Sequence, residues 1–199
     1  MSRFVIAIGL AVTALPLATL AAPEAFTIDP FHSHPHFQVK HLDFMYMTGR
    51  FDKMSGKIVM DTAAKTGTVE LAIEVATVNT GDHEKGPRIR SRDEHLKTAD
   101  FFNAAEFPQM TFKGAAVRWT GEWPAAVEGQ LTLLGVSRPV SLTVENWKCG
   151  PDPRTQGKRY MCGGNFSGAL KRSEFGMKFG IPNLGDEIRL LIGVEAIRE

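Results

Sequence analysis

The chain has 199 residues, with 23 lysines and arginines against 22 aspartates and glutamates and a formal charge of +1. That balance gives no general electrostatic pull toward nucleic acid or an anionic membrane, so a polyanionic partner is not expected. The length suits one domain with a substantial core and is short for two.

The first element, residues 1–22 (MSRFVIAIGLAVTALPLATLAA), places Arg3 ahead of an apolar run from Phe4 to Leu20 and ends in small residues. This is the pattern of a secretory signal peptide, with cleavage expected after Ala21 or Ala22. The run is short for a membrane-spanning helix, and Pro16 interrupts it. Residues 23–199 are then expected to form a single exported domain, periplasmic or secreted.

The next stretch, HSHPHFQVKH at 32–41, concentrates four of the six histidines in ten positions. Imidazole is a common metal ligand, so the cluster raises the question of a metal site. On a strand, His32, His34 and His36 share one face, while Ser33, Phe37, Val39 and His41 share the other. The apolar pair defines the interior, which sends His34, His36, Gln38 and Lys40 outward. Pro35 separates the two outer histidines, no carboxylate or cysteine adjoins them, and no metal is expected. His41 points inward, as an interior or rim residue.

Alternation of apolar and polar residues continues along the chain, the period-2 mark of strands with one buried face. Ile58 and Met60 follow an MSG segment read as a turn. In VELAIEVATV, Val69, Leu71, Ile73 and Val75 fall on one side. Residues 79–108 break the pattern with a polar, Gly/Pro-punctuated run. Within it, SRDEHLKTADFF offers Ser91 or Asp93 as the N-cap of a short helix. An excursion of this length in a small domain is commonly functional. Strands resume with Met110 and Phe112, then Val117 and Trp119. QLTLLGVSRPVSLTVENW reads as a hairpin that rises through Leu131 and Leu133, turns in GVSRP and returns through Val140, Leu142 and Val144. Phe166 and Leu170, then Ile188, Leu190, Ile192 and Val194, supply the last strands, for a total of about eight. Such a series, without β-α-β alternation, predicts an all-β sandwich or barrel.

The two cysteines, Cys149 and Cys162, bracket a Gly/Pro-rich loop. In an exported protein such a pair most simply forms a disulfide, and the paired close spacing of a zinc site is missing. No nucleophile elbow, H-E-x-x-H or phosphate-binding glycine loop occurs, and Asp93 and Glu94 read first as helix-start charges, so an enzyme is not expected.

Several blocks together resemble the YceI-like family. The opening matches through Asp29, His32, Ser33, Phe37, Val39, His41, Gly49, Phe51 and Gly56. DEHLKTADFFNAAEFPQMTF matches through Asp93, Leu96, Phe101, Phe102, Asn103, Phe107, Pro108 and Phe112. GQLTLLGVSRPVSL and LKRSEFGM, the latter through Arg172, Ser173, Glu174, Phe175 and Gly176, complete the series. The resemblance spans the mature chain in order. It implies an eight-stranded antiparallel, lipocalin-like β-barrel with a short helix in its long inter-strand excursion. It also implies a periplasmic or secreted bacterial protein that holds a long-chain isoprenoid lipid, polyprenyl or quinone in type, with no catalytic cofactor. His32 and His41 belong to the family pattern, whereas His34 and His36 do not.

Candidate lumen residues are Phe37, Val39, Phe51, Ile58, Leu71, Ile73, Phe112, Leu131, Leu133, Leu142, Val144, Phe166, Leu190 and Ile192. Each serves equally to fill a closed core. His41, Arg90, Asp93 and Arg172 are the candidates for a polar head group, with Arg172 alternatively a salt-bridge partner of Asp93 or Glu174. The excursion from Asn79 to Pro108 is the candidate lid. A second reading is a stress-related envelope protein that acts through a protein partner, its barrel empty or incidentally filled by a fatty amphiphile. Transient contact with a membrane or membrane protein, and a dimer through strand edges, fit either reading.

Overall fold

Strands that are apolar on one side only need a sheet with an inside and an outside, and this chain obtains one by closing its sheet on itself. The computed structural model describes residues 22–199. The signal-peptide reading of residues 1–22 thus lies, apart from Ala22, outside the described residues.

The strands in chain order are β1 (Glu24–Ile28), β2 (His34–His41), β3 (Met45–Phe51), β4 (Met54–Asp61), β5 (Thr66–Glu74) and β6 (Val78–Asn79). After α1 (Arg92–Leu96), the one α-helix among the described residues, come β7 (Gln109–Thr120), β8 (Trp123–Leu133), β9 (Val136–Pro151), β10 (Tyr160–Lys171) and β11 (Leu184–Arg198). Every pairing is antiparallel, and β1 returns to pair with β11 and closes the ring. The eleven segments make eight staves. β1 and β2 run along different lengths of β11, with Ile28 opposite Ala196 and His34 opposite Gly193. β3 with β4, and β5 with β6, likewise form one bent stave each. Closure of this kind removes the exposed sheet edges of an open array.

The break between β1 and β2 is pinned by residues of the family pattern. Asp29 Oδ1 accepts from Phe31 N at 3.0 Å, and Asp29 Oδ2 lies 2.9 Å from His32 Nδ1. Ser33 Oγ donates to Glu195 O and accepts from Glu195 N, at 3.0 and 2.9 Å. This corrects the strand reading of the histidine run: His32 lies in the turn, and β2 begins at His34, because side-chain bonds replace the ladder there.

Two turn readings also change. Met54, Ser55 and Gly56 are already in β4, opposite Ile73, Ala72 and Leu71. The β8–β9 turn is Leu134–Gly135, with φ of 52° and 73°, while Val136 to Pro139 belong to β9. Positive φ at both central residues is the hairpin geometry that matches strand twist. Pro139 is tolerated in β9 because β10 pairs only from Thr143 onward, so one side of β9 there is unpaired.

Inside, the two ends of the barrel differ. The base end, toward Glu24 and Arg198, is solidly packed around Phe26, Ile58, Val127, Val194, Cys162 and Ala196. Small residues admit the large ones. A Cβ on Gly129 would lie 2.6 Å from the Phe112 ring and 2.7 Å from Gly114 Cα, so these glycines let Phe112 lie across β7 and β8. The expected disulfide is present between Cys149 and Cys162, which stand opposite each other on β9 and β10.

Candidate functional site: an apolar cavity under a helical cap

The other end of the barrel is hollow. A cavity of about 310 Å³ is lined by inward-facing residues of the staves: Phe37 and Val39 of β2, Phe51 of β3, Leu71 and Ile73 of β5, and Met110 and Phe112 of β7. The far wall is Leu131 and Leu133 of β8, Val140 and Leu142 of β9, Leu170 of β10, and Ile188, Leu190 and Ile192 of β11. This volume falls at the low end of the range for small-molecule pockets, and its lining is almost wholly apolar.

The excursion at 79–108 covers the hollow. Ser91 and Glu94 form a reciprocal capping box that starts α1, with Ser91 Oγ accepting from Glu94 N at 3.1 Å and Glu94 Oε2 from Ser91 N at 2.7 Å. Ser91, rather than Asp93, is thus the N-cap. The helix places Arg92, His95 and Leu96 on the cavity. Behind it, Phe102 packs edge-on against Phe51, ring centres 5.3 Å apart, and lies 6.3 Å from Phe37. Phe101, His95 and Phe179 form a second cluster with centroids 4.9 to 5.2 Å apart. The cap is fastened as well as packed: Asn79 Nδ2 donates to Asp52 Oδ2 and Val75 N to Pro108 O.

Polar groups reach the cavity sparingly. Its polar lining residues are His36, His41, Thr48, Thr80, Arg92, His95 and Arg172, with no aspartate or glutamate among them. His95 Nε2 lies 2.8 Å from Asp100 Oδ2. That bond, aided by Arg90, outweighs desolvation and holds the Asp100 carboxyl below its ordinary range. Arg92 pairs with Asp82 at 3.2 Å and reaches Thr80 Oγ1.

The sequence-derived residues are placed unevenly. Of the lumen candidates, all line the cavity except Ile58, Val144 and Phe166. Those three belong to the packed base, where Phe166 lies edge-on to Trp147 at 5.9 Å. Among the head-group candidates, His41 and Arg172 line the cavity, whereas Arg90 and Asp93 do not. Arg90 turns to Asp100 at 3.2 Å. Buried Asp93 accepts from Thr80 N and Oγ1, at 2.9 and 2.6 Å, and so ties the helix to the start of the excursion. Arg172 forms no salt bridge with Asp93 or Glu174. It donates to the carbonyls of Gly185, Met177 and Leu184 at 2.9 to 3.1 Å, and so holds the β10–β11 connection in place. The sequence reading did not single out Thr80, Arg92, His95, Met177 or Phe179 as site residues. Thr80 sits in an irregular stretch, and α1 is too short to show which face of it Arg92 and His95 present to the lumen; Met110, Leu170 and Ile188, by contrast, were legible as inward strand positions.

Within the histidine cluster, His32 and His34 do not line the cavity. Asp29, His32 and Glu195 offer ligand atoms within 4.8 Å of one another. Arg154 occupies the same space, its guanidinium 3.0 Å from Glu195 Oε2 and 3.3 Å from His32 Nε2. Arg154 thus joins His32 and Glu195 in an ion-pair network beside the β1–β2 turn, in the space a metal would need. His36 stands opposite exposed Leu191 and Arg50 on the outer wall, although part of it touches the cavity.

A closed up-and-down barrel with one apolar chamber and a helical cap defines the lipocalin-like class of binding barrels. The model of the YceI-like domain matches residues 26–196, and the chain belongs to that family. A UPF0312 protein of Pseudomonas aeruginosa (strain LESB58) is 32% identical over 197 residues, 96% of this chain and 97% of its own. One from Shewanella baltica (strain OS155) is 31% identical over 184 residues, 92% of each chain. Among solved structures, Burkholderia cenocepacia BcnA superposes with a TM-score of 0.65 at 23% identity, covering 84% of this chain and 98% of that one. A polyisoprenoid binding domain from Saccharophagus degradans, implicated in plant cell wall breakdown, gives 0.63 at 18% identity, covering 88% and 99%.

Proposed function

We propose that the protein is an exported, non-catalytic carrier that holds one long-chain isoprenoid lipid, polyprenyl or quinone in type, in the capped end of its barrel. The observation that carries this reading is the cavity itself: apolar on every stave, closed at the base and covered by an aromatic cap. Each methylene-sized unit buried contributes about 0.8 kcal/mol, so a chain threaded into such a lumen binds by area, with little need for polar contacts. The polyisoprenoid binding neighbour and the YceI-like family support a lipid over another apolar ligand. Export is supported by the leader-like sequence at 1–22 and by the Cys149–Cys162 disulfide, which suits an oxidising compartment.

The test is to fill the chamber. Leu131→Trp, on the wall of the cavity, is expected to keep the fold by circular dichroism while lowering affinity for an added isoprenoid or quinone at least about tenfold, because the indole takes the volume of several methylenes. Unchanged affinity in a folded Leu131→Trp variant rejects the lumen as the binding site.

A further inference from the structure

The capped end carries an apolar rim that, Phe179 apart, does not line the cavity. In the β2–β3 turn Phe44 is 90% exposed, Met45 56% and Leu42 47%; in the β10–β11 connection Phe179 is 45% and Ile181 38% exposed. The two segments adjoin, since Leu42 N donates to Asn183 O at 2.7 Å. Leu42 and Asp43 occupy the left-handed region, with φ of 50° and 60°, in a turn where asparagine or glycine is the easier choice. Phe179 links rim to chamber: it lines the cavity and is exposed. Met45 stands opposite His41, another lining residue.

We propose that this rim docks the barrel on a lipid bilayer, so that cargo passes between membrane and cavity without crossing water. The inference rests on the carrier reading, because a long isoprenoid resides in bilayers and its transfer through water is opposed by every exposed methylene. The side chains behind the rim suit that surface. Tyr46 lies one residue beyond Met45, with the Arg189 guanidinium 4.1 Å over its ring, an aromatic with a cation at the level of an interfacial belt. Near the tip Lys40 pairs with Asp43 at 2.6 Å and Arg189 lies 3.9 Å from Glu187, while exposed Lys178, beside Phe179, forms no ion pair among the described residues. With one such lysine against several exposed apolar side chains, attachment comes chiefly from shallow insertion of Phe44, Leu42 and Ile181 rather than from attraction to anionic lipid.

Co-sedimentation of the mature chain with phosphatidylcholine vesicles, with and without phosphatidylglycerol, tests this directly. The mature chain is expected to bind both kinds to similar extents. The double variant Leu42→Asp/Phe44→Asp, altered only at an exposed tip, is expected to lose about tenfold or more in partitioning, as two apolar side chains leave the interface. In parallel, binding of farnesol, a short water-dispersible prenol, is expected to be the same for both proteins. Failure of the mature chain to sediment, sedimentation only with anionic vesicles, or equal sedimentation of the double variant each overturns the docking proposal. Loss of farnesol binding in the mature chain counts against the carrier reading instead, and leaves the vesicle result to judge the rim by itself.

Discussion

Asp152 is fully buried within the loop that the Cys149–Cys162 disulfide closes, between two arginines. Arg154 donates to it from Nε and Nη2 and through its backbone N–H, and Arg159 from Nε and Nη2. The Arg154 bonds lead in holding its carboxyl down at about 2, against burial, which acts the other way. The folded state therefore binds that proton less readily than the unfolded chain. Its stabilisation is complete above the ordinary value of 3.8 and is lost as pH falls from there toward about 2. Asp152→Asn should lower Tm at pH 7, and its deficit relative to the unsubstituted protein should shrink as thermal melts are taken from pH 5 toward pH 2. A deficit independent of pH would assign the effect to packing. The sequence reading did not mark Asp152, although Asp-Pro-Arg is a local capping signal in which Asp152 accepts from Arg154 N; Arg159 reaches it only once the loop has folded back. Gly56 was visible as a pattern position, yet its cause was not: a Cβ there would lie 2.0 Å from the Glu70 carbonyl oxygen of the neighbouring strand.

At the scale of elements, strands with long alternating runs were legible because one face had to be buried whatever its partner. The Leu134–Gly135 turn was not, since leucine at positive φ is rare and the nearby proline made GVSRP the better-looking turn. The excursion was legible as a segment with a capped helix, but its packing was not. Phe101 and Phe102 are part of the core, so deleting the whole segment would unravel the cap end as well as open it. A milder change separates the roles. Phe102→Leu should speed release of a bound isoprenoid several-fold in stopped-flow exchange while costing about 1 kcal/mol of stability, as for a conservative core swap. Equal retention would make the cap a structural plug. The disulfide joins β9 to β10 across 13 residues. Cys149→Ser with Cys162→Ser should cost about 3 kcal/mol in denaturant melts. Ligand affinity should hold, because neither cysteine lines the chamber.

For the whole molecule, the decisive property is that one closed sheet has a packed base and a hollow capped end. Alternation alone does not distinguish them, since Ile58, Val144 and Phe166 carry the same inward pattern as Leu71, Leu131 and Leu190. The difference arises from residues far apart in sequence: Phe26, Trp147 and Phe166 fill the base, whereas the other end keeps a cavity between the staves and the cap. Fold class was therefore readable from the chain, and the extent of the chamber was not. Native mass spectrometry of the purified protein, followed by organic extraction of whatever it releases, tests the carrier reading most directly. A stoichiometric prenyl or quinone adduct, lost in Leu131→Trp, is the expected result. A protein that emerges without adduct and takes up no added isoprenoid would contradict it, and would favour an envelope protein acting through a protein partner.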